Sequence, residues 1–166
     1  MSDPWPNASL RAALEETIHR SNQWLDERRF GAWLEATAPE FVYRIVSYSP
    51  ELRKDMTWLQ HDRAGLSALI ELLPKHHASG GDWLRQVVVG SIERVSDTEA
   101  AVTSTLSIFH TVVDVGDSHI DGGSTQLFAV GRYHDRYRAL QDRWLLLERT
   151  VRLQTRQLGI GSHQFP

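Results

Sequence analysis

An α+β fold, with N-terminal helices packed on a strongly curved and mainly antiparallel sheet, is what this sequence predicts. The N-terminal part places apolar residues at helical spacing, and the second half alternates them at the two-residue period of strands. Helices first and a strand meander last means helices covering one face of a sheet. Gly90 and Gly131 interrupt strand patterns, where bends or bulges would curl the sheet into a cone. With 166 residues the chain is read as one domain, 1–166, with a loose arm at 1–9 and a tail at 155–166.

Along the chain, Leu10, Leu14, Ile18 and Leu25 form a helical stripe flanked by Ala13, Ser21 and Trp24, with Ser9 as N-cap. A short helix over 27–36 gathers Phe30, Trp33 and Leu34, and Pro39 closes it. The first strand is FVYRIVSYS, 41–49, ended by Pro50, and 51–60 reads as a loop with some extended structure. Asp62 reads as the N-cap of a helix to Leu73, with Leu66, Leu69, Ile70 and Leu73 on its apolar side and Pro74 beyond. Strands follow at 84–95, 100–113, 124–139 and 143–154. The turns between them are 96–99, the Gly-rich loop 116–123, and 140–142.

Composition excludes several functions. A hydrophobic fraction of 41% with six Trp supplies a core, so disorder is excluded. The net charge of −3 and the lack of a basic run argue against nucleic-acid binding. The start MSDPWPNASL has neither a basic nor an apolar leader region, and no apolar run can span a bilayer, so a cytoplasmic protein away from membranes is expected. Cysteine is absent, which removes disulfides, thiolate nucleophiles and iron–sulfur ligation by this chain. Any metal ligation here would use His, Asp and Glu.

Each candidate for chemistry carries an ordinary reading beside it. His119 and Asp121 have the H-x-D spacing of a facial iron triad, with His134 or His163 as third ligand. They lie in a loop of Gly, Asp and Ser where both are ordinary turn residues, so no metal site is expected. His76 and His77 read as a solvated loop pair. Tyr43, His61, Asp62 and His110, with Arg149, come from elements that could converge in the cone for acid–base chemistry. Against this, Asp62 is already an N-cap and His110 lies near a strand end.

The segment 131–153 is the most informative. Leu145, Leu147, Val151 and Leu153 share a strand face with Arg149, and a cation on such a face needs a partner. Asp135 shares its own face with Leu127, Ala129, Tyr133 and Tyr137, so the two can pair across the hairpin. The alternate face, Arg132, His134, Arg136 and Arg138, reads as solvated. Arg132, Asp135 and Arg149 are therefore expected to serve structure or an interface.

Three segments together, 25–45, 52–66 and GRYHD…WLLLERTVRL, resemble the small (β) subunit of ring-hydroxylating dioxygenases, within the NTF2/SnoaL-like superfamily. The resemblance covers about residues 10–154 and implies a cystatin-like curved sheet. It implies a non-catalytic subunit with no cofactor of its own, supporting a large (α) subunit that carries the Rieske [2Fe–2S] cluster and the mononuclear iron. The partners so implied are that subunit, in an α3β3 hexamer, and further copies of this chain, a trimer being favoured. A short 73–84 loop and the GIGSHQFP end depart from common members. They leave the substrate open between an aromatic compound and an alkyl sulfonate. A free-standing dehydratase or isomerase, or a small-ligand binding protein, uses the same scaffold.

Overall fold

The computed structural model describes residues 8–76, 81–112 and 123–155, with the backbone alone for 74–76. The elements are α1 (Ala8–Asp26), α2 (Phe30–Glu35), β1 (Thr37–Ser49), β2 (Lys54–Asp62), α3 (Arg63–His76), β3 (Asp82–Arg94), β4 (Glu99–Val112), β5 (Ser124–Leu140) and β6 (Arg143–Leu153). The strands form one six-stranded sheet in the order β2-β1-β6-β5-β4-β3. β1 runs parallel to β6, and every other neighbouring pair is antiparallel. The α+β arrangement expected from the sequence is the one observed.

α1 forms because Leu10, Leu14, Ile18, Ser21, Asn22 and Leu25 recur at helical spacing and are all buried. Ser9 lies inside this helix rather than capping it, because α1 already includes Ala8. α2 is shorter than expected and ends at Glu35, because the chain turns into β1 at Thr37. Arg63 holds that corner: its Nε and Nη2 donate to the Leu34 carbonyl at 3.3 and 3.1 Å, and Nε also to Thr37 Oγ1 at 3.1 Å. Pro39 does not bound a helix. It sits exposed in β1, between the Thr37–Leu146 and Val42–Glu148 pairings where the ladder is irregular.

The segment expected as a loop contains β2. None of its residues is buried, so it lacks the apolar alternation that marks a strand, and pairing with β1 defines it. Asp62 caps α3 as expected, its Oδ1 accepting the Gly65 N–H at 2.8 Å. The helix continues past Leu73 and through Pro74 to His76.

Bulges reset which residues face inward. On β6 the register shifts so that Tyr137 pairs with Leu146 and Arg136 with Glu148, leaving Leu147 as the extra residue. Leu146, Arg149, Val151 and Leu153 are buried, while Leu145 and Leu147 are half-buried, which corrects the expected face. On β5, Phe128 is the extra residue opposite Ile108 and Phe109, and Leu127 is turned out at 56% exposure. Gly90 marks a bulge on β3, between Val89 and Ser91. Gly131 does not; it stays in register with Leu106 and Leu153.

Candidate functional site

A single row of paired residues crosses all six strands: His61, Tyr43, Arg149, Asp135, Val102 and Ile92. Residues directly opposite on neighbouring strands point to one face. Here that is the face under the helices, where Tyr43, Arg149, Asp135, Val102 and Ile92 are buried. At its centre Arg149 Nε donates to Asp135 Oδ1 at 2.9 Å and Nη2 to Oδ2 at 2.7 Å. Both side chains are fully buried. Two parallel charge-assisted bonds offset the desolvation that either ion alone would suffer.

Tyrosines enclose the pair. Tyr137 donates its hydroxyl to Asp135 Oδ2 at 3.2 Å, and the Arg149 guanidinium lies 3.8 Å over the Tyr133 ring. The Tyr133 hydroxyl donates to Asn22 Oδ1 at 3.2 Å, and Asn22 Nδ2 returns to the Ile18 carbonyl at 2.8 Å. The network thus ties the sheet to α1. Burial pushes the Tyr43, Tyr133 and Tyr137 phenols up, so all remain neutral. Burial works against the Arg149 charge, but the Asp135 carboxylate and its hydrogen bonds hold Arg149 well above the ordinary arginine value.

A second ion pair lies nearer the end of α1. Arg85 donates its backbone N–H to Asp26 Oδ2 at 3.1 Å and its Nη1 to Oδ1 at 2.5 Å. Burial raises the Asp26 carboxyl against the opposing pull of Arg85. Asn22, Asp26 and Arg85 are absent from the sequence-derived candidates. Arg85 follows Trp83 on the inward period of β3, and Asn22 and Asp26 extend the Ile18 stripe by steps of four, so the signal was the same interruption of an apolar pattern that marked Arg149.

Large buried side chains lie around the network. Trp33 meets Phe41 and Tyr43 edge-on, with ring centroids 5.9 and 6.0 Å apart, and Leu14, Ile18, Leu66, Leu106 and Ile108 are fully buried around them.

The acid–base candidates are not assembled. His61 is half-buried at the β2 edge, with two strands between it and Asp135, and Asp62 is exposed and engaged as a cap. His110 lies on β4 eight positions beyond Val102, roughly 26 Å along the strand at ~3.3 Å per residue. It stacks on Trp83 with centroids 4.1 Å apart and planes 16° from parallel. Among the described residues neither histidine meets a carboxylate, and no three His, Asp or Glu side chains come together as a metal site. His134 is exposed on the outer face. His77, His119, Asp121 and His163 lie outside the described residues, as does the side chain of His76. No described helix is long and apolar enough to cross a membrane.

Arg132, Arg136 and Arg138 stand on the other face. Arg136 and Arg138 both bind Glu99, at 2.6 and 3.1 Å, and Arg138 also binds Glu40. Arg44 binds Glu148 at 2.5 Å.

Helices packed on a mixed six-stranded sheet with a buried polar row are the arrangement to be placed among known proteins. A family model described as a SnoaL-like domain matches residues 6–150, and the chain belongs to that family, among its oxygenase small subunits. It is 36% identical to the methanesulfonate monooxygenase hydroxylase subunit β of Methylosulfonomonas methylovora, over 97% of this chain and 90% of that one. It is 26% identical to the 2-aminobenzenesulfonate 2,3-dioxygenase subunit β of an Alcaligenes species, over 91% and 95%. Its fold matches the crystal structure of the β subunit of an aromatic-ring-hydroxylating dioxygenase from Novosphingobium aromaticivorans, with a TM-score of 0.78 and 16% identity over 95% and 97%.

Proposed function

We propose that this chain is the non-catalytic small subunit of a multicomponent Rieske-type oxygenase whose substrate is an organic sulfonate. The observation that carries this reading is the engagement of the row's carboxylate, Asp135, by Arg149 and Tyr137. Asp135, Arg149, Tyr137, Tyr133 and Asn22 are linked by hydrogen bonds and ring contact and lie among buried aromatic and aliphatic side chains, with the Arg149 Nη1 the one row atom left without a partner among the described residues. General acid–base work needs a group that can exchange a proton with substrate near neutral pH. The phenols of this row are held neutral by burial, and the Arg149 guanidinium is held charged by Asp135.

The Rieske cluster and the mononuclear iron belong to the large subunit on this reading. A Rieske cluster takes two Cys and two His, and this sequence has no Cys. The sulfonate class follows from the substrates in the names of both curated relatives. An α3β3 assembly, with the small subunits forming a trimer, is the stoichiometry we infer.

The test is co-expression with the large subunit. Expected are a stable complex of that stoichiometry by light scattering, and oxygen-dependent consumption of an alkyl or aryl sulfonate that requires the large subunit. Turnover of a substrate by this chain alone, or failure to associate with the large subunit, would overturn the proposal.

A further inference from the structure

On the outer face of the sheet, Arg132 of β5 and Arg152 of β6 are directly paired across the ladder. Like charges in that position repel, and sheets ordinarily avoid it. Their neighbours show how this face relieves its charge. Arg44, Arg136 and Arg138 each hold a glutamate, and Arg152 holds Asp55 at 2.5 Å. Arg132 has no carboxylate partner among the described residues and is exposed. The two arginines line a depression of about 220 Å³ together with Ser47, Tyr48, Leu153 and Gln154. Tyr48 and Gln154 add a hydroxyl and an amide, and the lining itself contains no carboxylate.

We propose that this depression is an oxyanion site, with Arg132 and Arg152 as the residues that hold the anion. A planar guanidinium offers paired N–H donors that match a carboxylate, a sulfate or a sulfonate. Asp55 already shows that Arg152 accepts this chemistry, and a second oxyanion would relieve the repulsion that Asp55 leaves at Arg132. Asp55 neutralises Arg152 alone, so the like-charge contact is relieved on one side and Arg132 still faces solvent with a full charge. The anion comes from one of two sources: an acidic side chain of the large subunit, or a free ion. The first rests on the small-subunit reading above, and the second does not.

The experiment compares the full-length wild-type chain with Arg132→Gln, Arg152→Gln and, as control, Arg136→Gln. Sodium sulfate is titrated against sodium chloride at matched ionic strength, following the arginine Nε–H signals by NMR. A saturable sulfate response that Arg132→Gln abolishes and Arg136→Gln keeps identifies a free-anion site. In the second arm, affinity for the large subunit is measured. A loss of about tenfold in Arg132→Gln, with Arg136→Gln unchanged, identifies a subunit carboxylate as the ligand. With neither response the site is refuted. If wild type forms no complex, the small-subunit reading fails, and the sulfate titration alone then decides the site.

Discussion

Asp135 and Arg149 face each other across the β5–β6 hairpin as a fully buried, doubly hydrogen-bonded ion pair, with bonds of 2.9 and 2.7 Å. The pair joins two strands at the middle of the sheet, and through Tyr133 and Asn22 it reaches α1. It therefore fixes how the helix layer sits on the sheet as well as how the hairpin is registered.

Removing one partner should be far worse than removing both. Arg149→Met strands a buried carboxylate and is expected to cost about 3–5 kcal/mol, with Asp135→Leu similar. The double variant should recover most of that loss, because no unpaired ion remains. Urea unfolding of the four proteins gives the coupling energy. Additive losses would mean that the two residues do not act as a unit.

Gly131 is required by space. A Cβ there would lie 2.5 Å from the Arg152 carbonyl oxygen and 3.1 Å from Leu153 Cα, both backbone atoms of the paired strand. Gly131→Ala must push β6 away and should cost about 1–3 kcal/mol. Gly31, in the exposed side of α2, has nothing within 4 Å, so Gly31→Ala should stabilise by about 0.5–1 kcal/mol. Opposite shifts in thermal midpoint are the expected result.

The fold was legible because most elements obey one period. Leu10, Leu14 and Ile18 announce α1, and the alternation in β4 announces a half-buried strand. What was not legible has a local cause in each case. β2 is an edge strand with no buried residue, so no alternation marks it. The bulges at Leu147 and Phe128 each exchange the faces of a strand by one residue, and that put Leu145, Leu147 and Leu127 on the wrong side. Asp135 and Arg149 both lie on the same side of the β5–β6 bulge, so their pairing could be read directly. The Asp26–Arg85 pair joins a helix end to a strand 59 residues away, and no local pattern connects them.

Acidification should act in opposite directions on two carboxylates. Asp26 is raised on folding, chiefly by burial, so the folded chain holds that proton more tightly than the unfolded one. Its contribution is fully present below the unfolded value and fades as pH rises through the folded value. Wild type should therefore gain stability relative to Asp26→Asn as pH falls from neutral to about 4. Glu99 is lowered, chiefly by its hydrogen bond from Arg138. Its contribution is present above the unfolded value and lost as pH falls through the folded one. Glu99→Gln should flatten the acid limb, and denaturation midpoints across that pH range check both signs.

The histidines offer the sharpest separation between a supporting subunit and an enzyme. A positioned general acid or base contributes about 10²–10⁴-fold to rate. His61 is separated from Arg149 by Tyr43, whose phenol burial pushes up, and His110 is stacked on Trp83 near the far end of β4. Neither has a carboxylate to set its proton among the described residues. His61→Gln and His110→Gln should therefore leave the turnover of the assembled oxygenase unchanged when the large subunit is saturated. A drop of the size expected for general catalysis, in a variant that still folds and still assembles, would return the chemistry to this chain. An unchanged rate with a lowered thermal midpoint for His110→Gln would instead mark that histidine as a packing partner of Trp83.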